Sequence, residues 1–311
     1  MKSFISKRVS TSTHVLFFLS SLCIWSCSAP EEVITREENR SELSLKKLVI
    51  ALKANKQPAS MLIEKQDLQV YLSQKLNRPV EILIPTDSSI VVESFRNGTL
   101  DIGYLSSTDA ARNVGQETAS VLLVHLKNGK SHYQSVWLTK KEKPYQSVSD
   151  LQGKPVAFAS RSSTSGYLIP TWDMMKKGLV GAEKSLTDYF SLTLYGTGYV
   201  SAVEKVLSGE VEAAAVSDYV FKGNNKYLDD AQKVKLRIIQ EQGPVPAHTL
   251  CIRSTMSSND RRILKKALLE MNQENPALRD RIFNGKLIEV DEDEHLKVTR
   301  EALLLQETLK L

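Results

Sequence analysis

Cysteine is nearly absent from this chain: three residues in 311, at positions 23, 27 and 251. Two of them stand within the first 27 positions, so the body holds a single thiol and no intrachain disulfide framework. That thiol, Cys251 in "HTLCIR", alternates with apolar neighbours and reads as a packed, inert side chain. The five histidines show no metal-ligand spacing, so neither zinc nor any other metal is expected. P-loop, G-x-S-x-G and H-E-x-x-H patterns are all missing, which removes the usual signatures of nucleotide hydrolysis, serine hydrolysis and zinc proteolysis. Long apolar runs are missing too, apart from "HVLFFLSSLCIW", which is too short and too near the terminus to read as a membrane span. Charge of one sign does not dominate. Lysine plus arginine number 41 against 36 acids, and Lys2, Lys7 and Arg8 precede the first acid, Glu31. From residue 27 onward the balance is 38 to 36, so no nucleic-acid partner is expected.

What is present is an ordinary globular composition, 41% hydrophobic and 25% charged, with material for one or two cores. Residues 1–26 read as an export signal. The stretch "IWSC", Ile24 to Cys27, resembles the bacterial lipoprotein signal, which implies that Cys27 carries lipid and anchors the mature chain to a membrane; Trp25 is an unusual member of that pattern. The alternative is a plain export signal or a retained anchor with Cys27 a bystander, and each version exports the body. Residues 27–44 are polar and charge-mixed, and read as a flexible tether.

From Lys46 the chain alternates apolar runs with amphipathic stretches. "KLVIAL", "VEILI" and "LDIGYL" read as strands separated by helices at 58–77 and 88–98, and "TDAARNVGQ" as a short helix before the strands "SVLLVHL" and "YQSVWLTKK". A second round follows with strands "PVAFAS", "SLTLYG" and "VEAAAVS" and helices at 164–178 and 199–210. Strands "LRIIQ" and "HTLCIR" and helices at 257–274 and 292–309 complete the reading. The pattern predicts α/β architecture with parallel sheets, in two lobes: 45–130 with 245–311, and 131–244, the chain crossing near 128–134 and 240–246. Ligands in such folds sit in the cleft, at strand C-termini and helix N-termini.

One junction concentrates chemistry. "SRSSTSGYLIP", Ser160 to Pro170, gathers five serine or threonine hydroxyls and a glycine between the strand "PVAFA" and the next helix. A helix N-terminus offers free N–H groups and a positive dipole end to an anion. Ser162, Ser163, Thr164 and Ser165 add neutral donors, and Gly166 permits close approach of a ligand. A plain N-cap by Ser163 or Thr164 accounts for one hydroxyl but not four in a row.

"SSTSGYLIP" is similar to the signature of the phosphate, phosphite and phosphonate-binding periplasmic proteins of ABC transporters. "NGTLDIGYLSSTDAA", "SHYQSVWLTKKEKPYQSVSDLQGKPVAFAS", "SAVEKVLSGEVEAAAVSDYVF" and "GPVPAHTLCIR" follow the family order, so the resemblance spans Lys46 to Phe283. It implies a type II periplasmic-binding-protein fold whose two lobes close on the ligand. By position it implies ligand contacts from Ser163, Thr164 and Ser165, from Tyr133 at the lobe crossing, and from Tyr104 or Ser106 on the first-lobe rim. Asp218 is a candidate carboxylate that would accept from a P–OH group and repel sulfate, or pair with an amine; capping of the helix "YVFKGNN" is its other reading. The family commonly has Gly-Ser-His where this chain has Gly196-Thr197-Gly198, so a histidine contact is lost and Thr197 keeps a hydroxyl. Tyr199 either fills that place or packs on the helix it opens, with packing preferred. His125, His132 and His248 are within sequence reach of the cleft without a visible partner, and Trp137 and Trp172 read as core.

The resemblance therefore implies an exported solute-binding component, monomeric and without cofactor or catalytic step, that delivers a small phosphorus oxyanion to an ABC permease. The alternatives are a sensor of the same fold docking to a signalling partner, or a carrier of a different small anion. An enzyme with Ser163 or Ser165 as nucleophile lacks any visible base and orienting acid.

Overall fold

Strands β1 (Leu48–Ala51), β2 (Val80–Leu83), β3 (Ile102–Leu105) and β4 (Ala119–His125) alternate with helices α1 (Pro58–Leu76), α2 (Ser88–Arg96) and α3 (Ser107–Gly115). The chain then enters a second sheet through β5 (His132–Lys140) and continues with β6 (Pro155–Phe158), α4 (Ile169–Lys176), α5 (Leu186–Tyr189), β7 (Leu192–Tyr195), α6 (Tyr199–Ser208) and β8 (Ala213–Ser217). After α7 (Asp218–Lys222), α8 (Asp230–Lys233) and β9 (Leu236–Pro246) it returns through β10 (Thr249–Arg253), α9 (Ser258–Glu274), α10 (Pro276–Phe283), β11 (Leu287–Ile288) and α11 (Glu292–Gln306). The computed structural model describes residues 42–53, 58–85, 87–223 and 227–310. The signal at 1–26, Cys27 and the tether as far as residue 41 lie outside the described residues.

Both sheets have one plan. The first runs β11-β4-β10-β3-β1-β2 and the second β7-β6-β8-β5-β9. In each, a central strand pairs parallel with two neighbours, β1 with β2 and β3, β6 with β7 and β8. In each, the strand arriving from the other half of the chain pairs antiparallel on both sides: β10 between β3 and β4, β5 between β8 and β9. The two crossings therefore run side by side, at 126–131 and 247–248, where Ala247 donates its N–H to the Ser131 carbonyl at 2.9 Å.

Strand alternation explains why both faces are covered. In the first sheet Leu48, Ile50, Ile102, Tyr104, Leu250 and Ile252 point to α1, α9 and α10, while Ala51, Leu105 and Cys251 point to Val91 and Phe95 of α2 and Ala110 of α3. In the second, Val136, Leu138, Ala157, Ala214 and Val216 face Ala202, Val203 and Val206 of α6, whereas Trp137, Val156, Phe158 and Ala215 face Met174 and Phe190. Trp137 is fully buried, as a core reading requires, and Trp172 packs at the margin of the α6 core beneath the Lys176 ammonium. Each fully buried Val, Leu, Ile, Phe or Met among these contributes about 1.5–3 kcal/mol.

Three sequence readings change here. The tether does not extend to residue 44: Leu43 is buried in the first core and the Ser44 N–H bonds to Asp260 Oδ1 at 2.8 Å. Helix α10 is added; Asn275 caps it by accepting from the Leu278 N–H, and Pro276 begins it where a missing N–H costs nothing. Helix α11 meets both lobes. Leu296 enters the first-lobe core, Glu292 accepts from the Val121 N–H at 2.6 Å, and Ala302 enters the second-lobe core.

Candidate functional site

The junction 160–170 folds as a π-helical turn, Thr164–Leu168, that runs directly into α4. Ser163 caps it, its Oγ accepting from the Gly166 N–H at 3.0 Å. The wide register is visible in two bonds spanning five residues, from the Leu168 N–H to the Ser163 carbonyl and from the Ile169 N–H to the Thr164 carbonyl. Such single π turns frequently mark functional positions. Because Ile169 bonds to Thr164, the Ser165 carbonyl is free to accept from Ser135 Oγ at 2.6 Å, and Ser135 is held in turn by Gln242 Nε2 at 2.7 Å. Pro170 has no N–H to give the Gly166 carbonyl, which instead accepts from the Ala159 N–H at 3.0 Å. A proline and a shifted register thus hand two carbonyls of the turn to the sheet, which fixes its position.

Gly166 serves that docking rather than ligand access. A Cβ there would lie 2.4 Å from the Ala159 Cβ and 3.2 Å from the Ala215 carbonyl oxygen, so the sheet, not a ligand, makes the close approach. Gly166→Ala is expected to lower unfolding stability by about 1–3 kcal/mol through overpacking, measured by urea denaturation. A midpoint equal to that of the wild type would mean the turn is not held against β6 and β8.

Within the turn Ser165 is fully buried, with its Oγ 2.9 Å from the Tyr199 hydroxyl and 3.4 Å from that of Tyr133. Tyr219 donates to the Tyr199 oxygen at 3.5 Å, and the rings of Tyr133, Tyr199, Tyr219 and Tyr227 pack edge to face and tilted at centroid distances of 5.1–6.2 Å. Burial raises the pKa of Tyr133, Tyr219 and Tyr227, so these phenols keep their protons and remain donors. The Lys127 ammonium sits 4.4 Å over the Tyr219 ring. Tyr199 is packed as its position suggested, yet its hydroxyl also reaches the Ser165 side chain.

Asp218 opens α7 but does not cap it; Ser217 occupies the cap position without a side-chain bond. Asp218 Oδ1 is buried with no hydrogen-bond partner. Burial raises the carboxyl pKa, while the Lys222 charge and the N–H groups of Gln134 and Tyr219 pull it down.

A family model described as "ABC transporter, phosphonate, periplasmic substrate-binding protein" matches residues 50–296. The chain belongs to that family. Among curated relatives, "Phosphate-import protein PhnD" of Mycolicibacterium smegmatis is 26% identical over 173 residues, 54% of this chain and 51% of the relative. The chain thus spans about half the length of the curated relative it matches. Among solved structures, PhnD1 from Prochlorococcus marinus in complex with methylphosphonate aligns with a TM-score of 0.73 at 17% identity, covering 85% of this chain and 99% of that one. XAC2383 from Xanthomonas citri bound to ATP aligns at 0.71 and 19%, covering 86% and 100%. These likenesses give the fold, a type II periplasmic-binding-protein fold.

The remaining residues named from the family pattern divide. Ser106 lies at the cleft, with its hydroxyl 2.7 Å from Asp109 Oδ2 and 3.1 Å from the Ser162 carbonyl across it. Tyr104 is committed elsewhere: its hydroxyl lies 2.9 Å from His125 Nδ1 and donates to the Phe283 carbonyl at 3.1 Å, and its ring packs against His125, His248 and Phe283. Thr197 is exposed, its N–H bonded to Ser201 Oγ at 2.9 Å. It lies outside the buried hydroxyl cluster because the turn carrying it folds back onto α6. Thr164 is turned toward the first lobe, where Ser107 Oγ, the Thr108 N–H and Thr108 Oγ1 all lie within 3.0 Å of its hydroxyl.

Ser107, Thr108, Tyr219, Tyr227 and Lys127 did not emerge from the sequence alone. A signal existed for two of them: the tripeptide Ser-Ser-Thr occurs at 106–108 and again at 162–164, each time at a strand-to-helix junction.

Proposed function

We propose that the chain is the exported solute-binding component of an ABC importer that captures a small phosphorus oxyanion by closing its lobes, with no catalytic step. The observation that carries this is Ser165: a fully buried hydroxyl at the opening turn of a helix, surrounded by phenol donors. The N–H groups of Thr164 and Ser165 open that helix, where no preceding turn supplies an acceptor. Neutral donors of this kind stabilise an oxyanion without a buried cation. Tyr133 reaches the same hydroxyl from the lobe crossing. Asp218 supplies an acceptor for a P–OH proton or for an amine on the ligand, which excludes sulfate in the first case.

Gly198 bears on the choice of ligand. Its φ of 169° is extended backbone open to any residue, and a Cβ there would meet nothing within 4 Å. The fold therefore does not require glycine at this position, and glycine here leaves the ligand without the side-chain contact that a histidine would supply. A membrane anchor through lipidated Cys27, a monomeric state, delivery to a permease, and division of the body into lobes 45–130 with 245–311 and 131–244, amended by Leu43 in the first-lobe core and by α11 packing on both lobes, complete the proposal.

Calorimetry with methylphosphonate, aminoethylphosphonate, phosphite, phosphate and sulfate tests it. One phosphorus compound is expected to bind and sulfate is not. Ser165→Ala is expected to weaken that binding by about 1–3 kcal/mol through a lost charge-assisted bond. Binding of none of the five would remove the ligand assignment, and full affinity in the variant would remove Ser165 from the site.

A further inference from the structure

The cation nearest the oxyanion turn in sequence is Arg161, two residues before Ser163 and exposed. Among the described residues its guanidinium has no hydrogen bond and no ion pair. It lies instead over the ring of Tyr195, 4.0 Å from the ring centroid. That ring is a fixed platform. It stacks on Phe158 at 5.8 Å and meets Tyr167 edge-on at 5.6 Å, and Phe158 is fully buried. An exposed side chain that would otherwise be free to turn is thus held in place with its charge uncompensated.

The topology puts this charge at the mouth of the cleft. The crossings between the lobes leave the second sheet through β5 and β9, at one side of the order β7-β6-β8-β5-β9, and β7 is the strand at the other side. Three strand spacings separate β7 from β5, about 14 Å. Tyr195 ends β7 level with Phe158, where β6 runs into the turn. This edge faces the first lobe, since the carbonyl of Ser162, next in the chain to Arg161, accepts from Ser106 Oγ at 3.1 Å. Arg161 therefore stands where the two lobes meet, at the end far from their crossing. Ser165 lies inward of it. Its hydroxyl faces Tyr133 and Tyr199, which belong to the core on the α6 side of the sheet, whereas Tyr195 and Tyr167 pack on the core of the other side.

Two other cations near the cleft are engaged: Lys53 pairs with Asp109 at 2.9 Å, and the Lys127 ammonium sits 4.4 Å over the Tyr219 ring beside the crossing. The chain from residue 27 onward has 38 basic against 36 acidic residues, so no net field draws an anion from a distance. Attraction at the entrance falls to local charge, acting over about one Debye length, roughly 8 Å at physiological ionic strength.

We propose that Arg161 is the anion-capture residue of the cleft: its guanidinium, held at the mouth by Tyr195, meets the incoming oxyanion and speeds its arrival at the turn, without contacting it once it is bound. This rests on the oxyanion reading of the cleft. A charge on the rim of a site changes the association rate and its salt dependence, whereas a charge on the bound ligand changes dissociation.

Stopped-flow mixing of the full chain with methylphosphonate, aminoethylphosphonate, phosphite and phosphate, followed by tyrosine fluorescence, separates the two rates. At about 10 mM salt Arg161→Gln is expected to associate about three- to tenfold more slowly than the wild type, with dissociation within about twofold. At about 0.5 M salt the difference is expected to vanish. Arg161→Lys, which keeps the charge, is expected to associate at close to the wild-type rate, and Arg161→Glu more slowly than Arg161→Gln. Because the side chain is exposed, all three variants are expected to keep the wild-type urea midpoint. Equal association of wild type and Arg161→Gln at low salt, a deficit that persists at high salt, a lysine variant as slow as the glutamine one, or a loss carried by faster dissociation each overturns the proposal. Calorimetry keeps the two readings apart. If the wild type binds none of the four anions, the oxyanion reading fails and capture falls with it; if it binds one and Arg161→Gln takes it up as fast, capture alone fails.

Discussion

Between pH 7.5 and 5.5 the protein is expected to lose stability steeply, by about 1.4 kcal/mol for each buried neutral histidine. His125, His248 and His295 are 2%, 4% and 3% exposed. Burial holds all three below the ordinary imidazole value, His248 at about 3 and His295 at about 4, and His125 well below 6.5. Positive neighbours add to this. His125 faces His248, Lys127 and His295; His248 faces Lys53 and Lys127; His295 faces His132 and is partly compensated by the Ala247 carbonyl, 3.0 Å from its Nε2. A depressed folded-state pKa means that the unfolded chain binds protons the folded chain refuses. The contribution is therefore complete above the unfolded value near 6.5 and is lost as the pH falls toward 4 and then 3. His248 and His295 together remove about 3 kcal/mol by pH 5.5, with His125 acting in the same direction.

These groups sit at the lobe crossings. His125 ends β4, His132 begins β5, His248 lies between β9 and β10, and His295 bonds to Ala247 in the same crossing. Rings of His125 and His248 stack at 5.8 Å and those of His132 and His295 lie at 5.5 Å, so protonation sets like charges against each other where the lobes join. Urea midpoints measured from pH 7.5 to 5 check the slope, and His248→Gln and His295→Gln are each expected to reduce it by the equivalent of one proton. A flat profile over this range would mean that the rings are hydrated and protonate freely in the folded state.

The alternation of strands and helices was legible because each element carries its own period. β9 shows where that stops: "LRIIQ" reads as a strand, but the element continues through Gln242, Gly243 and Pro244 to Pro246 because β5 pairs with it as far as His132. Pairing with a partner about 100 residues away overrode local propensity. At the junction, the local geometry of the turn was legible: a strand-to-helix opening that Ser163 caps, with Ser165 in its first turn. The contacts of Thr164 with Ser107 and Thr108 were not legible, since spacing within one junction cannot show partners contributed from 56 and 57 residues away. Tyr104 and Ser106, the two positions offered for the first-lobe rim, could not be told apart for a related reason. Alternation along β3 puts Tyr104 on the face toward Phe283, with Leu105 on the other, and the rim begins only at Ser106.

Replacement of Lys53 by methionine is expected to cost about 2–4 kcal/mol, the penalty of leaving a buried carboxylate without its cation. Asp109 is 4% exposed in the first turn of α3, with Oδ2 bound by Lys53 Nζ at 2.9 Å and by Ser106 Oγ at 2.7 Å, and Oδ1 has no partner. Lys53 retains about a fifth of its side-chain exposure, so water reaches the pair and the expected cost falls below that of a fully dry one. The dipole of α3 still favours a negative charge at this position in the variant and offsets about 0.3–1 kcal/mol of the loss. The Ser106 hydroxyl is the link to closure. It is shared between Asp109 and the Ser162 carbonyl across the cleft, and without the ammonium the carboxylate competes for it more strongly. Lys53→Met is therefore expected to weaken the interlobe contact as well as the first lobe. Adding Asp109→Asn removes the stranded charge while keeping an acceptor for Ser106, and the double variant is expected to recover most of the lost stability in urea titrations. If the double variant is as unstable as Lys53→Met alone, the cost came from lost packing of the lysine stem and not from the buried charge.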